Sequence, residues 1–122
     1  PTERKVKYMH GFGWIQAALG EIEAMATSQG LTEITRVTIR RGQLSHFPQA
    51  ELEFAWDLLK KDTICQRASL VVEEEPALMG CPACGWEILW QGDLANCPAC
   101  KDRLQLVSGT DLQLVHIQGG EQ

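Results

Sequence analysis

Four cysteines carry the clearest chemistry in this sequence. They stand as Cys81-Pro82-Ala83-Cys84 and, twelve residues on, Cys97-Pro98-Ala99-Cys100. Two cysteines three apart around a tight turn present both sulfurs on one side, where backbone N–H groups can point at them. Two such knuckles facing each other supply four thiolates in a tetrahedron, the arrangement Zn²⁺ prefers. One pair alone would suit redox chemistry equally well, but two at this spacing favour a metal. Paired disulfides are the competing use; nothing else marks an oxidising compartment, and Cys65 would be left over. Iron also accepts four thiolates. Zinc is the expectation. Four sulfurs close the coordination sphere, so such a metal is structural rather than catalytic. A segment this short has almost no core of its own, and metal binding contributes on the order of 10 kcal/mol to folding it.

The remaining reactive side chains are few. His10 stands where a helical pattern begins, His46 precedes a second one, and His116 lies between apolar residues of a strand-like stretch. Cys65 reads as a small apolar residue, because no histidine partner is identifiable for a catalytic thiol. Trp86 and Trp90 follow the first knuckle, where they either form a protein-docking patch or cover the sulfurs from water. No paired carboxylates, catalytic triad or phosphate-binding glycine loop is present, so an enzyme is not expected.

Positioning these groups falls to a chain of 122 residues, enough for one modest domain and a small metal-stapled module. A net charge of −5 disfavours a general role on nucleic acid or anionic membranes. Only Lys101 and Arg103 flank the second knuckle, and Glu87 and Asp93 lie between the two, which disfavours a nucleic-acid-binding ribbon. No apolar run approaches the roughly 18 residues of a membrane span. Nor is a secretory leader expected, since Gly13 and Gln16 interrupt the patch from Phe12 to Leu19.

Residues 1–8 are polar and mostly basic, which predicts a flexible arm. From Phe12 to Gln29, Ile15, Leu19, Ile22 and Met25 recur at helical intervals, with Ala18 and Ala26 widening the stripe and Gly30 as the stop. Glu33 to Arg41 alternates as a strand, with Thr35, Val37 and Ile39 on one face and Arg36, Thr38 and Arg40 on the other. A second helix starts at Pro48, buries Leu52, Ala55, Trp56 and Leu59, and places Glu51 and Glu53 at its positive end. Ala68 to Glu75 predicts a strand whose acidic face could pair with Arg36 and Arg40. After the cysteines, Arg103–Val107 and Asp111–Gln118 alternate around the turn Ser108-Gly109-Thr110. The expected fold is α/β: two helices on a small three-stranded mixed sheet, with an inserted four-cysteine zinc ribbon. The α/β part should span 9–77 and 104–118, the zinc module 78–103, and a loose tail 119–122.

This layout resembles the HypA family of nickel metallochaperones for nickel–iron hydrogenase maturation. The likeness runs from Met9 onward: Met9-His10 opening the first helix, Gly42 after the first strand, Glu53-Phe54-Ala55 in the second helix, Gly80-Cys81 through Cys100, and the closing Ser108-Gly109, Leu112 and Leu114. It implies a cytoplasmic accessory protein that binds nickel, works with the HypB GTPase and docks on the hydrogenase large subunit. A homodimer is compatible with it. It also implies that nickel sits at the N-terminal end among imidazole and backbone nitrogens, with nearby carboxylates, donors that suit Ni²⁺. His10 then becomes the nickel ligand; His46, near the start of the second helix, is either a replacement ligand within reach of His10 if the helices pack side by side or a solvent-exposed loop histidine. Where the family reads Met-His-Glu this chain has Met9-His10-Gly11; its strand-end Gly-Glu is Gly42-Gln43, and a further acidic position falls at about Pro48. The alternative function is a nickel-deficient descendant that keeps zinc and serves as a docking adaptor or a structural subunit.

Overall fold

A computed structural model describes residues 10–120, with His10 by its backbone alone. The arm expected over residues 1–8 and the last two residues of the expected tail lie outside them. Helix α1 (His10–Gln29) leads into strand β1 (Glu33–Gly42), helix α2 (Gln49–Leu59) and strand β2 (Ser69–Glu75). Three short strands follow, β3 (Leu78–Gly80), β4 (Glu87–Leu89) and β5 (Gln105–Ser108), and β6 (Leu112–Gly120) closes the fold. The strands form two sheets, ordered β2-β1-β6 and β4-β3-β5.

The first sheet is mixed. β1 runs parallel to β2 and antiparallel to β6. A parallel pair needs a crossover, which α2 supplies. Both helices pack on one face of this sheet: Ile15, Leu19, Ile22 and Ala26 of α1 and Leu52, Ala55 and Trp56 of α2 close over Ile34, Val37, Ile39 and Ile117. The Trp56 indole N–H donates to the Ala68 carbonyl at 3.2 Å, so the largest ring of this core leaves no polar atom unpaired. α1 ends as its sequence predicts. Gly30 takes φ 72°, its N–H reaches the Thr27 carbonyl at 3.3 Å, and Leu31 N–H reaches Ala26 at 2.8 Å. That is the Schellman closure of a helix. The parallel register sets Arg40 opposite Glu73, and the two pair at 3.4 Å, while Arg36 faces Ser69. An exposed pair of this kind is worth only tenths of a kcal/mol.

Three expectations are corrected. Thr35 is exposed and Ile34 takes the core position instead, because an irregularity in the β1–β6 register between Ile34 and Arg36 breaks the two-residue alternation. The tail is not loose through Gly120: β6 continues, with Gly119 opposite Ile34 and Gly120 opposite Glu33. A Cβ on Gly119 would run into the Glu33 carbonyl oxygen, so glycine here permits a close strand approach rather than signalling a free end. Finally, the strand expected to belong with 104–118 divides. β5 pairs with β3 across Leu78–Ser108, Met79–Leu106 and Gly80–Gln105, in the sheet of the cysteine module. Only β6 returns to the α/β layer.

The two sheets meet at a glycine-packed junction. Gly42, at the end of β1, donates its N–H to Asp111 and lies against the Gly109–Thr110 backbone. Gly109, at φ 104°, in turn lies against Ala77, whose Cβ would be 2.7 Å from any side chain at that position. Ala77 is held on both sides: its N–H donates to Gln43 Oε1 at 2.9 Å, and its carbonyl accepts from Trp90 N–H at 2.8 Å.

Candidate metal centre

Each cysteine knuckle is built by the same backbone bonds. Gly85 N–H donates to the Cys81 carbonyl and Lys101 N–H to the Cys97 carbonyl, both at 2.8 Å. Cys81 N–H returns to Trp86 and Cys97 N–H to Asp102, both at 2.7 Å. Gly85 and Lys101 take φ values of 79° and 72°, the left-handed conformation that turns the chain back. Lys101 bears it without being glycine, and its carbonyl accepts from the Asn96 side chain at 3.0 Å. β3 and β4 deliver the first knuckle, and the Asn96–Arg103 bridge brackets the second.

These turns bring all four sulfurs within 4.8 Å of one another. Cys81 and Cys100 stand 3.3 Å apart, and Cys84 and Cys97 3.7 Å apart. A disulfide would need about 2.0 Å. The edge of a tetrahedron with metal–sulfur bonds of 2.3 Å is about 3.8 Å, so the four thiols fit one ion. Cys81 and Cys97 are buried; Cys84 and Cys100 are exposed. Met79, Leu104, Trp86, Ile88 and Leu94 pack around the buried pair.

Proton affinity follows this geometry. The Cys84 N–H holds the Cys81 thiol down at about 7 against its burial, with help from the Cys100 thiol and the Ala83 N–H. At Cys100 the Asp102 N–H lowers the affinity, but the Cys81 thiol, burial and the other two cysteines outweigh it and push the group up to about 12. At Cys84 the Trp86 N–H and the Cys100 thiol lower the affinity, but the Cys81 thiol, burial and the Cys97 thiol outweigh them and the group is raised. Four thiols this close cannot all ionise without a cation, and a divalent ion removes that conflict.

Trp86 is partly buried within this cluster, whereas Trp90 is more exposed, with its ring beside Gly92. Cys65 is not part of the four-cysteine cluster. It is wholly buried in the α/β core, and burial pushes its thiol up to about 11. His116 is exposed on β6 opposite Thr38.

The N-terminal end of α1 holds the second set of candidates. His10 opens the helix, and His46 is exposed in the turn between β1 and α2. That turn is tied down by Leu44 N–H on the Gly109 carbonyl, Ser45 N–H on the Gly42 carbonyl, and Arg41 Nε on the Phe47 carbonyl. Pro48 caps α2 without a side-chain bond, and Gln43 spends its amide oxygen on Ala77. Gly11 is buried against the side chain of Glu51. Sequence reasoning placed Glu51 only as a favourable charge at the start of α2; no local pattern announces that it reaches α1.

Comparison with known proteins agrees with this architecture over almost all of it. A model of the family described as "Hydrogenase/urease nickel incorporation, metallochaperone, hypA" matches residues 9–119. The hydrogenase maturation factor HypA of Wolinella succinogenes is 31% identical over 112 residues, covering 90% of this chain and 94% of the relative. That of Nitrosospira multiformis is 32% identical over 111 residues, covering 90% and 96%. Among solved structures, a HypA protein in solution superposes with a TM-score of 0.78 at 18% identity, covering 93% of this chain and 98% of that one. The nickel metallochaperone HypA from Helicobacter pylori gives 0.70 at 17% identity, covering 91% and 97%. With the helices, the mixed sheet and the four-cysteine cluster in place along the same span, this chain belongs to the HypA family.

Proposed function

We propose that this protein is a hydrogenase maturation factor that carries nickel at its N-terminal end and assists its insertion into the hydrogenase large subunit. The observation that carries the reading is the family match over residues 9–119, which includes both His10 and the complete four-cysteine cluster. The resident metal at Cys81, Cys84, Cys97 and Cys100 is zinc. When bound, it neutralises the thiolates and cross-links the two knuckles. The chain itself supplies the rest: knuckle amides aim at the sulfurs, and Met79, Leu104 and Trp86 keep water from the buried pair. Nickel is cargo rather than cofactor, held at His10, with His46 as the further candidate. A HypB-type GTPase and the hydrogenase large subunit are the partners, and exposed Trp90 and half-buried Trp86, which follow the first knuckle, are the docking residues.

The protein is not an enzyme. It catalyses no bond change, and the family role implies work in the cytoplasm. Among the described residues no helix is long and apolar enough to cross a membrane. The glycine junction and the Gln43–Ala77 bond support a carrier whose nickel end and zinc end move as one piece.

The deciding experiment is metal analysis and nickel titration of the purified protein and of His10→Ala. The reading expects one zinc per chain in both, and one nickel bound at about micromolar affinity or tighter that disappears with His10. Nickel binding equal in the two proteins would overturn it.

A further inference from the structure

Each exposed cysteine of the metal centre faces a buried one on the opposite knuckle. Exposed Cys100 stands 3.3 Å from buried Cys81, and exposed Cys84 stands 3.7 Å from buried Cys97. Both contacts cross from one knuckle to the other, and all four sulfurs are thiols rather than disulfides in this structure. Closing either contact to a bond needs a further approach to about 2.0 Å. Burial divides the work within each pair. The exposed sulfur is open to a dissolved oxidant, whereas the buried one is screened by Met79, Leu104, Trp86, Ile88 and Leu94 but touches its neighbour. An accessible thiolate with a second cysteine poised beside it is the arrangement of a redox-sensing pair.

We propose that the four-cysteine cluster is a peroxide-sensitive switch, in which oxidation joins Cys81 to Cys100 and Cys84 to Cys97 and releases the zinc. This rests on the zinc assignment made above. The exposed Cys100 thiolate attacks one peroxide oxygen; the O–O bond breaks, hydroxide leaves and a sulfenic acid remains. The Cys81 thiolate then attacks that sulfur and displaces the second hydroxide. One S–S bond forms, two electrons pass from the two thiolates to one peroxide, and both hydroxides leave as water after taking protons from solvent. Cys84 and Cys97 repeat the sequence with a second peroxide. Sulfurs tied up in disulfides no longer offer the thiolates that hold the ion. Bonds within each knuckle would also release it, but would leave the two knuckles unlinked. Bonds across them keep the first knuckle, delivered by β3 and β4, tied to the one bracketed by Asn96 and Arg103. Cys65, wholly buried in the α/β core, takes no part.

The test treats the zinc-loaded full chain with hydrogen peroxide in the presence of a chromogenic zinc chelator. Remaining thiols are then counted and alkylated in denaturant, and peptides are mapped without reduction after cleavage at Glu87 and Asp93, which separates the knuckles. The chain should release its one zinc while its thiols fall from five to the single Cys65. The peptide holding Cys81 and Cys84 should be linked to the one holding Cys97 and Cys100, with fragmentation between Cys81 and Cys84 assigning the partners. A thiol reductant supplied with zinc should restore all five thiols and the metal. Any other pairing, including disulfides confined to each knuckle, would overturn the inference. So would zinc and five thiols that survive peroxide, or sulfinic and sulfonic acids formed without disulfides. A protein that carries no stoichiometric zinc before treatment would overturn the zinc assignment and this inference with it, while nickel at His10 stands or falls by its own titration.

Discussion

Gly42 lies flat against Gly109, with no room for a side chain between the α/β layer and the cysteine module. A Cβ on Gly42 would sit 2.6 Å from the Thr110 nitrogen and closer still to the Gly109 carbonyl group. All of these are backbone atoms, so the strain cannot be relieved by turning a flexible side chain. Gly42→Ala should cost about 2–4 kcal/mol in urea unfolding. Gly20→Ala is the control, since nothing lies within 4 Å of that helical position. It should stabilise by up to about 1 kcal/mol. Equal effects from the two substitutions would show that the junction is looser than the packing indicates.

Gln43 holds the same junction from its side chain. Gln43→Ala removes the acceptor for Ala77 N–H and should lower stability by about 1 kcal/mol. Gln43→Glu keeps an oxygen in place and should lose less. Amide hydrogen exchange at Ala77 and Trp90 is the direct readout, with faster exchange expected at both in the alanine variant. Unchanged protection would mean that the Gln43 bond contributes nothing to coupling the sheets.

The cysteine module should depend on its metal, the α/β layer much less. Cys84→Ser is expected to lose stoichiometric zinc and to melt β3, β4 and β5, while the core around Ile22, Ile39 and Leu52 keeps its protection from exchange. Elemental analysis gives the first result and residue-resolved exchange the second. Zinc retained at wild-type level in Cys84→Ser would sink the four-sulfur assignment.

Cys65 gives a pH dependence with a defined sign. Burial, with Glu23 nearby and only partly offset by Lys60, raises its thiol from 9.0 to about 11. The folded protein thus holds this proton more tightly than the unfolded chain. The stabilisation is complete below pH 9 and disappears as pH rises through about 11. Wild type should therefore lose stability over that window more steeply than Cys65→Ala, compared by denaturant midpoints. The same burial predicts that Cys65 resists alkylation at pH 8 in the zinc-loaded protein. Parallel pH profiles for the two proteins would contradict the buried thiol.

Much of this protein is legible from its sequence because the relevant physics is local. Cys81 to Cys84 and Cys97 to Cys100 are each a single turn, so spacing alone predicts sulfurs that converge. The stripe of Ile15, Leu19, Ile22 and Ala26, and its stop at Gly30, follow from helical periodicity and from the φ that only glycine takes freely. Pro48 marks the start of α2 for an equally local reason. Residue types and spacing also carried the resemblance to the HypA family, later matched over residues 9–119.

What tertiary structure decided is where distant segments meet. Leu106 alternates as well for one sheet as for the other, and only the pairing of β5 with β3 assigns it, opposite Met79. Alternation put Thr35 on the face of Val37 and Ile39, but with an irregularity in the β1–β6 pairing it is Ile34 that shares their burial. Gly119 and Gly120 looked like a loose end because composition cannot reveal that Glu33 lies alongside. Glu51 and Gly11 are forty residues apart in sequence, and no pattern within either helix predicts that a carboxylate from one fills the missing side chain of the other. Periodicity sets which face of an element is apolar; the packing of whole elements against each other sets which two faces touch.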